Sequence, residues 1–178
     1  YCYEMGRGVE RDGEQAIEWY RQAADAGSTE AMLRLGERYQ VGDGVRQDFV
    51  RAVEWYQKAA EAGNAPGQCN LGYLYETGRG VPQSWEMAVK WYRAAAEQGL
   101  PRAQCNLAWC YENGLGLEKN LVRAAKWYQA AAEQGYAQAQ CNLGVCYEYG
   151  SGVEKDLSRA VELYQAAAEQ GDRVAACN

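Results

Sequence analysis

The sequence predicts an all-α fold, a solenoid built from helix–turn–helix repeats. Three observations support this prediction: aromatic, glycine and alanine positions return every 36 residues, each repeat reads as two helices, and glycines separate those helices. Self-similarity at a fixed period of this size is typical of repeat architectures. A single helix pair cannot bury its own apolar face, whereas stacked pairs can, so we expect the repeats to pack on one another.

The repeat is clearest at an aromatic pair in the second helix of each unit. The pair recurs without insertion or deletion as Trp19-Tyr20, Trp55-Tyr56, Trp91-Tyr92, Trp127-Tyr128 and, with one replacement, Leu163-Tyr164. From this phase we expect one solenoid domain over residues 1–178 with about five repeats, divided into 1–27, 28–63, 64–99, 100–135, 136–171 and 172–178. Because the first and last segments are partial repeats, we expect the chain to be a piece of a longer array.

Each repeat is expected to consist of a helix A followed by a helix B. In the third unit, helix A covers residues 65–77 and ends at Gly78, since glycine readily adopts the left-handed conformation that closes a helix. Helix B follows and continues to Gly99. A residue with a good N-cap side chain precedes every helix B, at Asp12, Asp48, Ser84, Asn120 and Asp156.

Small and aromatic side chains define the expected core. Gly72 on helix A and Ala88 on helix B let the two backbones approach closely. The space on either side would be filled by Leu71, Tyr75, Val89 and Tyr92. The alanine position is constant in all units, at Ala16, Ala52, Ala88, Ala124 and Ala160. We therefore interpret the Trp and Tyr stripes as mostly core, rather than as an aromatic box for a ligand.

One run of residues carries a family resemblance: Leu71-Gly72, Tyr75, Gly78, Gly80-Val81, Ala88, Trp91-Tyr92, Ala95-Ala96 and Gly99. It resembles the SEL-one-like repeat, a branch of the tetratricopeptide-like superfamily, over essentially the whole chain. Ala108, Leu117 and Leu163 are small departures from the pattern. The resemblance implies a right-handed α-α superhelix whose A helices line a concave face. It also implies an adaptor function, in which a peptide or protein partner binds along that face.

On a helical wheel, one stripe of helix A points away from helix B. We expect three asparagines, three aromatic residues and two arginines of this stripe to bind the partner: Asn70, Asn106, Asn142, Tyr73, Trp109, Tyr149, Arg34 and Arg102. An amide can donate to and accept from a peptide backbone, and Tyr and Trp are enriched among binding hot spots. The resemblance also points to the asparagines, because tetratricopeptide relatives use an asparagine at this position to grip a ligand. Two alternatives stay open: the asparagines hydrogen-bond to neighbouring A helices, and Trp109 packs against the adjacent helix A.

The seven cysteines follow the repeat, at Cys2, Cys69, Cys105, Cys110, Cys141, Cys146 and Cys177. Equivalent residues on stacked helices lie roughly 8–10 Å apart, whereas a disulfide needs Cα atoms within about 7 Å. We therefore expect buried, reduced thiols, which favours a reducing, cytoplasmic compartment. The chain has no histidine, so a zinc site would need four converging thiolates, and we expect no metal. A cysteine-rich secreted branch of the family pairs its cysteines across each helix pair, but helix B has none here.

Composition argues against several other functions. The net charge of −6 disfavours nucleic acid as a partner, and no apolar stretch is long enough for a membrane span. Without histidine the common catalytic triads are excluded, and no phosphate-binding glycine motif occurs, so we expect neither catalysis nor a cofactor. Two alternatives are kept: a structural array that assembles end to end, and the β-lactam binding or hydrolysis linked to the cysteine-rich branch. The Ser-x-x-Lys signature of serine β-lactamases is absent.

Overall fold

The computed structural model describes residues 13–170. Regular structure in that range consists of α-helices of 13 residues each: α1 (Gly13–Asp25), α2 (Thr29–Val41), α3 (Phe49–Glu61), α4 (Ala65–Thr77), α5 (Trp85–Glu97), α6 (Pro101–Asn113), α7 (Leu121–Glu133), α8 (Ala137–Tyr149) and α9 (Leu157–Glu169). The even-numbered helices are the A helices and the odd-numbered ones are the B helices. The predicted all-α repeat fold is confirmed, and α4 has the bounds expected from the sequence.

Packing divides the chain into two compact units, one up to Ser84 and one from Trp85. In the first unit α1 packs on α2, α2 on α3 and α3 on α4. In the second unit α5 packs on α6, α6 on α7, α7 on α8 and α8 on α9. Each unit is therefore a stack of consecutive helices, as expected when one repeat buries its apolar surface against the next.

Side-chain caps begin many of these helices. The predicted caps of three B helices are confirmed, because the side-chain oxygens of Asp48, Asn120 and Asp156 each accept from the backbone N–H three residues later, at 2.9–3.1 Å. Asp12 lies outside the described residues, and Ser84 directly precedes α5. Ser28 and Asn64 cap two of the A helices in the same way. These local hydrogen bonds satisfy backbone donors that a helix start leaves unpaired.

Two glycines with positive φ follow each A helix. The first closes the helix in the left-handed conformation, as predicted, at Gly42, Gly78, Gly114 and Gly150. The second brings the loop against the start of the preceding B helix, since a Cβ at Gly116 would overlap the carbonyl group of Trp85. Glycine is needed there for its φ of 69° and for this close approach. The loop thereby ties one repeat to the repeat before it.

The tyrosines of the three middle aromatic pairs lie at the centre of the core, whereas Tyr20 and Tyr164 are half-buried. Tyr56, Tyr92 and Tyr128 are fully buried. The small residue of helix A makes room for this ring, because a Cβ at Gly36 would overlap the ring of Tyr56. The sequence pointed to a close approach of two helix backbones at this position. The structure instead places the glycine against an aromatic ring.

The tryptophans of the aromatic pairs are less buried than the sequence predicted. Trp91 is only 7% exposed, whereas Trp55 and Trp127 are half-buried. Consecutive residues point about 100° apart on a helix, so the tryptophan lies at the edge of the interface that the tyrosine fills. The interpretation of these stripes as core therefore holds for Tyr56, Tyr92, Tyr128 and Trp91.

The cysteines of the described segment are buried and are not part of a disulfide: Cys69, Cys105, Cys110, Cys141 and Cys146. Cys2 and Cys177 lie outside residues 13–170. Burial raises the pKa of the Cys105 thiol to about 12 and that of Cys146 to about 11. The prediction of buried thiols outside disulfides is confirmed for these five, and the raised pKa values of Cys105 and Cys146 make those two thiols poor nucleophiles.

Candidate functional site

The outward stripe of the A helices is present in both units, and each unit carries part of the predicted site. Arg34, Asn70 and Tyr73 belong to the first unit, and Arg102, Asn106, Trp109, Asn142 and Tyr149 belong to the second. On α4 the stripe is opposite a buried row formed by Leu71 and Leu74. The helical wheel predicted the inward position of Leu71, and the structure confirms it.

The aromatic residues of the stripe leave the most surface exposed. Tyr73 is 37% exposed on α4, Trp109 is 39% exposed on α6 and Tyr149 is 71% exposed at the end of α8. Folding does not require large aromatic groups at these positions, because the corresponding residues of other repeats are Glu37, Val145 and Val41. Exposed tyrosine and tryptophan can supply contact area to a partner at a low cost in side-chain entropy.

Trp109 has a neighbour that the sequence did not identify. Its ring lies 5.6 Å from that of Trp85, with the two planes tilted by 52°. Trp85 is the first residue of α5, which is a B helix. Trp109 therefore packs on a B helix in this contact, whereas the alternative left open by the sequence was packing on an adjacent A helix. The tilted pair holds the Trp109 ring in place while part of its surface stays exposed.

Asn142 connects two A helices of the second unit. Its Nδ2 donates to Sγ of Cys105 on α6 at 3.8 Å, and its Oδ1 accepts from Nε2 of Gln138 at 3.1 Å. The pKa of Cys105 is raised by burial, so the sulfur is a neutral acceptor. At this position the structure supports the alternative in which the asparagine stiffens the stack. Asn70 and Asn106 occupy the same place on α4 and α6 and are half-buried.

The two arginines of the stripe differ in their surroundings. Arg34 forms ion pairs with Glu30 at 2.8 Å and with Glu37 at 2.9 Å, both on its own helix. Such half-exposed pairs contribute about 0–1 kcal/mol, so an acidic ligand would compete with them for the guanidinium. Arg102 is exposed near the start of α6.

The structure also bears on metal and membrane binding. Within residues 13–170, no group of three or more Cys, Asp or Glu side chains could hold a metal ion. None of the helices in the same range is both long enough and apolar enough to cross a membrane. The chain ends, on which the expectation of end-to-end assembly depends, lie outside this range.

Sequence reasoning missed a second set of variable residues, which belongs to the B helices. In the second unit, Arg93 and Arg123 both donate to the hydroxyl of Tyr111, at 3.3 and 3.5 Å. A signal was present in the repeat, because the position of Arg93 holds Arg21, Gln57, Gln129 and Gln165 in the other units. Because the repeats are otherwise similar, the change between arginine and glutamine indicates that helix packing does not determine which residue stands at this position.

Comparison with known proteins shows a match over nearly the whole chain. The family model for the Sel1 repeat matches residues 1–28, 29–64, 65–100, 101–136 and 137–172. A search of curated proteins found no match. The repeat bounds agree with the sequence-based division to within one residue.

Solved structures of similar proteins support the same family. A Sel1 repeat protein from Oxalobacter formigenes is 39% identical with a TM-score of 0.93, and the match covers 98% of this chain and 70% of that one. The protein c5321, a protective antigen present in uropathogenic Escherichia coli strains that displays an SLR fold, is 38% identical with a TM-score of 0.92, and the match covers 98% of this chain and 37% of that one. Cysteine rich protein B of Helicobacter pylori is 25% identical with a TM-score of 0.57, covering 72% of this chain and 92% of that one. The repeat matches and these similarities show that the chain belongs to the Sel1 repeat family.

Proposed function

We propose that this chain is a scaffold that binds a peptide or protein partner along the outward stripe of its A helices. Sel1 repeats are generally non-enzymatic scaffolds for protein–protein interaction. The observation that carries the proposal is the exposure of Tyr73, Trp109 and Tyr149 at positions of the stripe where other repeats have smaller or charged residues. Tyrosine and tryptophan are the residue types that most often dominate binding energy.

The roles of the other stripe residues follow from their contacts. Asn70 and Asn106 also have interactions within the chain, and a bound peptide backbone would share or replace these contacts with their amide groups. Asn142 would act mainly by holding α8 to α6, since both ends of its amide group already have partners. Arg34 and Arg102 would add charge contacts to acidic residues of the partner at the rim of the site, where such contacts affect association rates more than affinity.

A paired capture experiment tests this proposal. The unmodified chain and a Trp109→Ala/Tyr149→Ala variant would be immobilised and exposed to lysate from the host cell. A matched control, Val122→Ala/Val161→Ala, removes apolar groups of similar exposure (52% and 51%) from B helices of the same unit. We expect a partner that the unmodified chain and the control retain and that the first variant loses. The purified partner should then bind the first variant at least about 30-fold more weakly in calorimetry, because the loss of one hot spot costs about 2 kcal/mol or more.

The outcomes separate the possible surfaces. A partner lost by the B-helix control and kept by the stripe variant would move the binding site to the B helices. Equal retention by all three chains would contradict the proposal. Far-UV circular dichroism and the thermal midpoint of each variant must match those of the unmodified chain, because Trp109 also packs on Trp85.

A further inference from the structure

A groove lies on the B-helix side of the second unit, away from the stripe described above. It has a volume of about 580 Å³ and is lined by Arg93 and Glu97 of α5, Tyr111 of α6, and Arg123, Lys126 and Trp127 of α7. We call it the Tyr111 groove. Its lining combines three cationic side chains with two aromatic rings, which is a combination that suits an anionic group attached to an apolar body.

The two arginines in this groove are held by one phenol. Nη2 of Arg93 and Nη1 of Arg123 both donate to the Tyr111 hydroxyl oxygen, and Cζ of Arg123 lies 5.7 Å from the centre of the Tyr111 ring. Tyr111 is itself buried, so it anchors both side chains. Each guanidinium group has five N–H donors, and the phenol occupies one on each. The remaining donors belong to two side chains that are already oriented and lie side by side.

The positive charge of the Tyr111 groove is only partly compensated. Arg93, Arg123 and Lys126 form no ion pair with any carboxylate of residues 13–170. Glu97 is the one acidic residue in the lining, which leaves an excess of two positive charges. The chain as a whole carries a net charge of −6. A positive groove on an acidic protein concentrates anions locally and repels other cations.

We call a tyrosine hydroxyl that accepts from two arginines a clamp. The first unit has an equivalent clamp, whose arginines are paired with neighbouring acids. There the Tyr39 hydroxyl accepts from Arg21 at 2.7 Å and from Arg51 at 3.3 Å. Arg21 also lies 3.8 Å from Glu18, and Arg51 lies 3.6 Å from Asp48. This clamp therefore has its own carboxylates and needs no ligand to balance its charge.

The sequence explains the difference between the two clamps. The repeat of the second unit keeps both arginines but replaces both compensating acids. Lys90 stands at the position of Glu18, three residues before the first arginine, and Asn120 stands at the position of Asp48. Asn120 still caps α7, with its Oδ1 accepting at 2.9 Å, so helix capping is preserved while the negative charge is removed.

We propose that the Tyr111 groove binds a carboxylate side chain of an acidic peptide segment from a protein partner. The carboxylate would accept hydrogen bonds from Arg93 and Arg123, which gives the strong charge-assisted geometry typical of arginine. An apolar residue next to it would rest on Trp127. Glu97 would repel a second charge at the same place, which favours a single carboxylate over a polyanion. This site is separate from the A-helix stripe and does not depend on the function proposed for it.

The experiment uses the full chain and a defined probe. The probe is a blocked peptide of sequence Gly-Leu-Glu-Leu-Gly, and the reference is the same peptide with Gln in place of Glu. Proton–nitrogen correlation spectra that resolve the arginine Nε–H groups detect binding up to millimolar dissociation constants. We expect the Glu peptide to shift the signals of Arg93 and Arg123, and the Gln peptide to leave them in place. Absence of shifts with millimolar Glu peptide would overturn the proposal.

Two double variants form a matched pair. Arg93→Gln/Arg123→Met introduces the residues that the chain itself carries at the equivalent positions Gln57 and Met87, so folding should be preserved. Arg21→Gln/Arg51→Met makes the same change in the clamp of the first unit. We expect the first variant to bind the Glu peptide about tenfold or more weakly, because two charge-assisted hydrogen bonds are lost. The second should bind it as the unmodified chain does.

Three further results would each overturn the proposal. One is equal weakening by the two double variants, which would indicate a general effect of net charge. A second is equal affinity for the Glu and Gln peptides. The third is complete displacement of the Glu peptide by an equimolar amount of inorganic phosphate, which would identify a small-oxyanion site without a role for the peptide. A Tyr111→Phe variant adds a readout of positioning: we expect weaker binding of the Glu peptide with both arginines still present.

Discussion

The hydroxyl group of Tyr128 donates a hydrogen bond of 2.7 Å to Oε2 of Glu112, which lies on the preceding A helix. The ring of Tyr128 is fully buried, so this bond fixes the one polar atom of a core side chain. The same arrangement recurs with Tyr164 and Glu148 at 2.7 Å, and with Tyr56 and Gln40 at 2.7 Å. In one case the acceptor is a neutral amide and in two cases it is a carboxylate.

Removing this hydroxyl should test how much the charge of the acceptor contributes. We expect Tyr128→Phe to lower the free energy of unfolding by about 1.5–3 kcal/mol, since the acceptor is ionised and loses a buried donor. The matched variant Tyr56→Phe should cost about 1 kcal/mol, because its acceptor is a neutral amide. Urea denaturation followed by far-UV circular dichroism measures both values. Equal losses would show that the acceptor charge is irrelevant in this setting.

Local chemistry explains why so much of the fold could be predicted. The bounds of α4 follow from glycine at its C-terminus, and the starts of α3, α7 and α9 follow from cap residues that need only their own chain neighbours. The helical wheel placed Tyr73 and Leu71 on opposite sides of α4, and this prediction also needed only the geometry of a single helix. Signals of this kind survive in every repeat and reinforce one another.

Contacts between helices could not be predicted in the same way. The Tyr111 clamp brings together Arg93 and Arg123, which lie 18 and 12 residues from it on two different helices. The Trp109–Trp85 pair likewise depends on the angle between α6 and α5. A repeat pattern shows that such positions vary, but the distances among their side chains depend on helix packing that no local rule gives.

The fit between Gly36 and Tyr56 leads to a second prediction. A Cβ at Gly36 would overlap the Tyr56 ring, whose hydroxyl is also held by Gln40, so the ring cannot move freely. We expect Gly36→Ala to destabilise the protein by about 1–2 kcal/mol through overpacking. This loss comes in spite of a gain of about 1 kcal/mol in helix propensity. Chemical denaturation provides the measurement.

Gly144→Ala is the matched control for that substitution. Its Cβ would overlap Tyr164, whose hydroxyl is held by Glu148 but whose ring is half-buried and so has more room to shift than the fully buried ring of Tyr56. The change in unfolding free energy should therefore lie within about 0.5 kcal/mol of zero, because the propensity gain offsets a small rearrangement. A larger loss for Gly144→Ala than for Gly36→Ala would contradict the argument.

The second loop glycine gives a third prediction, based on two glycines that share a positive φ but differ in surroundings. Gly116 has a φ of 69° and no room for a Cβ beside Trp85, whereas Gly135 has a φ of 79° and nothing within 4 Å of a Cβ. Gly135→Ala should cost about 1–2 kcal/mol, the strain of left-handed backbone alone. Gly116→Ala should cost clearly more, about 3 kcal/mol or above, since backbone must move as well. The thermal midpoints of the two variants provide the comparison. Similar midpoints would mean that the close contact between Gly116 and the start of α5 does not stabilise the protein.

Cys105 leads to a prediction about pH. Burial raises the pKa of its thiol from the ordinary value of 9.0 to about 12, so the folded chain holds the proton where the unfolded chain releases it. The stabilising effect of the protonated thiol is complete below pH 9 and is lost as pH rises toward 12. Between pH 8 and pH 10 this group should lower the unfolding free energy by about 1 kcal/mol.

The comparison that isolates this effect is between the unmodified chain and Cys105→Ala. The loss of packing caused by the substitution does not depend on pH, whereas the effect of the Cys105 thiol does. Unfolding free energies from urea denaturation at pH 8, 9 and 10 should therefore decline more steeply for the unmodified chain, and the gap between the two chains should narrow by about 1 kcal/mol. Parallel curves would mean that the Cys105 thiol ionises as readily in the folded chain as in the unfolded one, and the packing of α6 around it would then have to be looser than the structure describes.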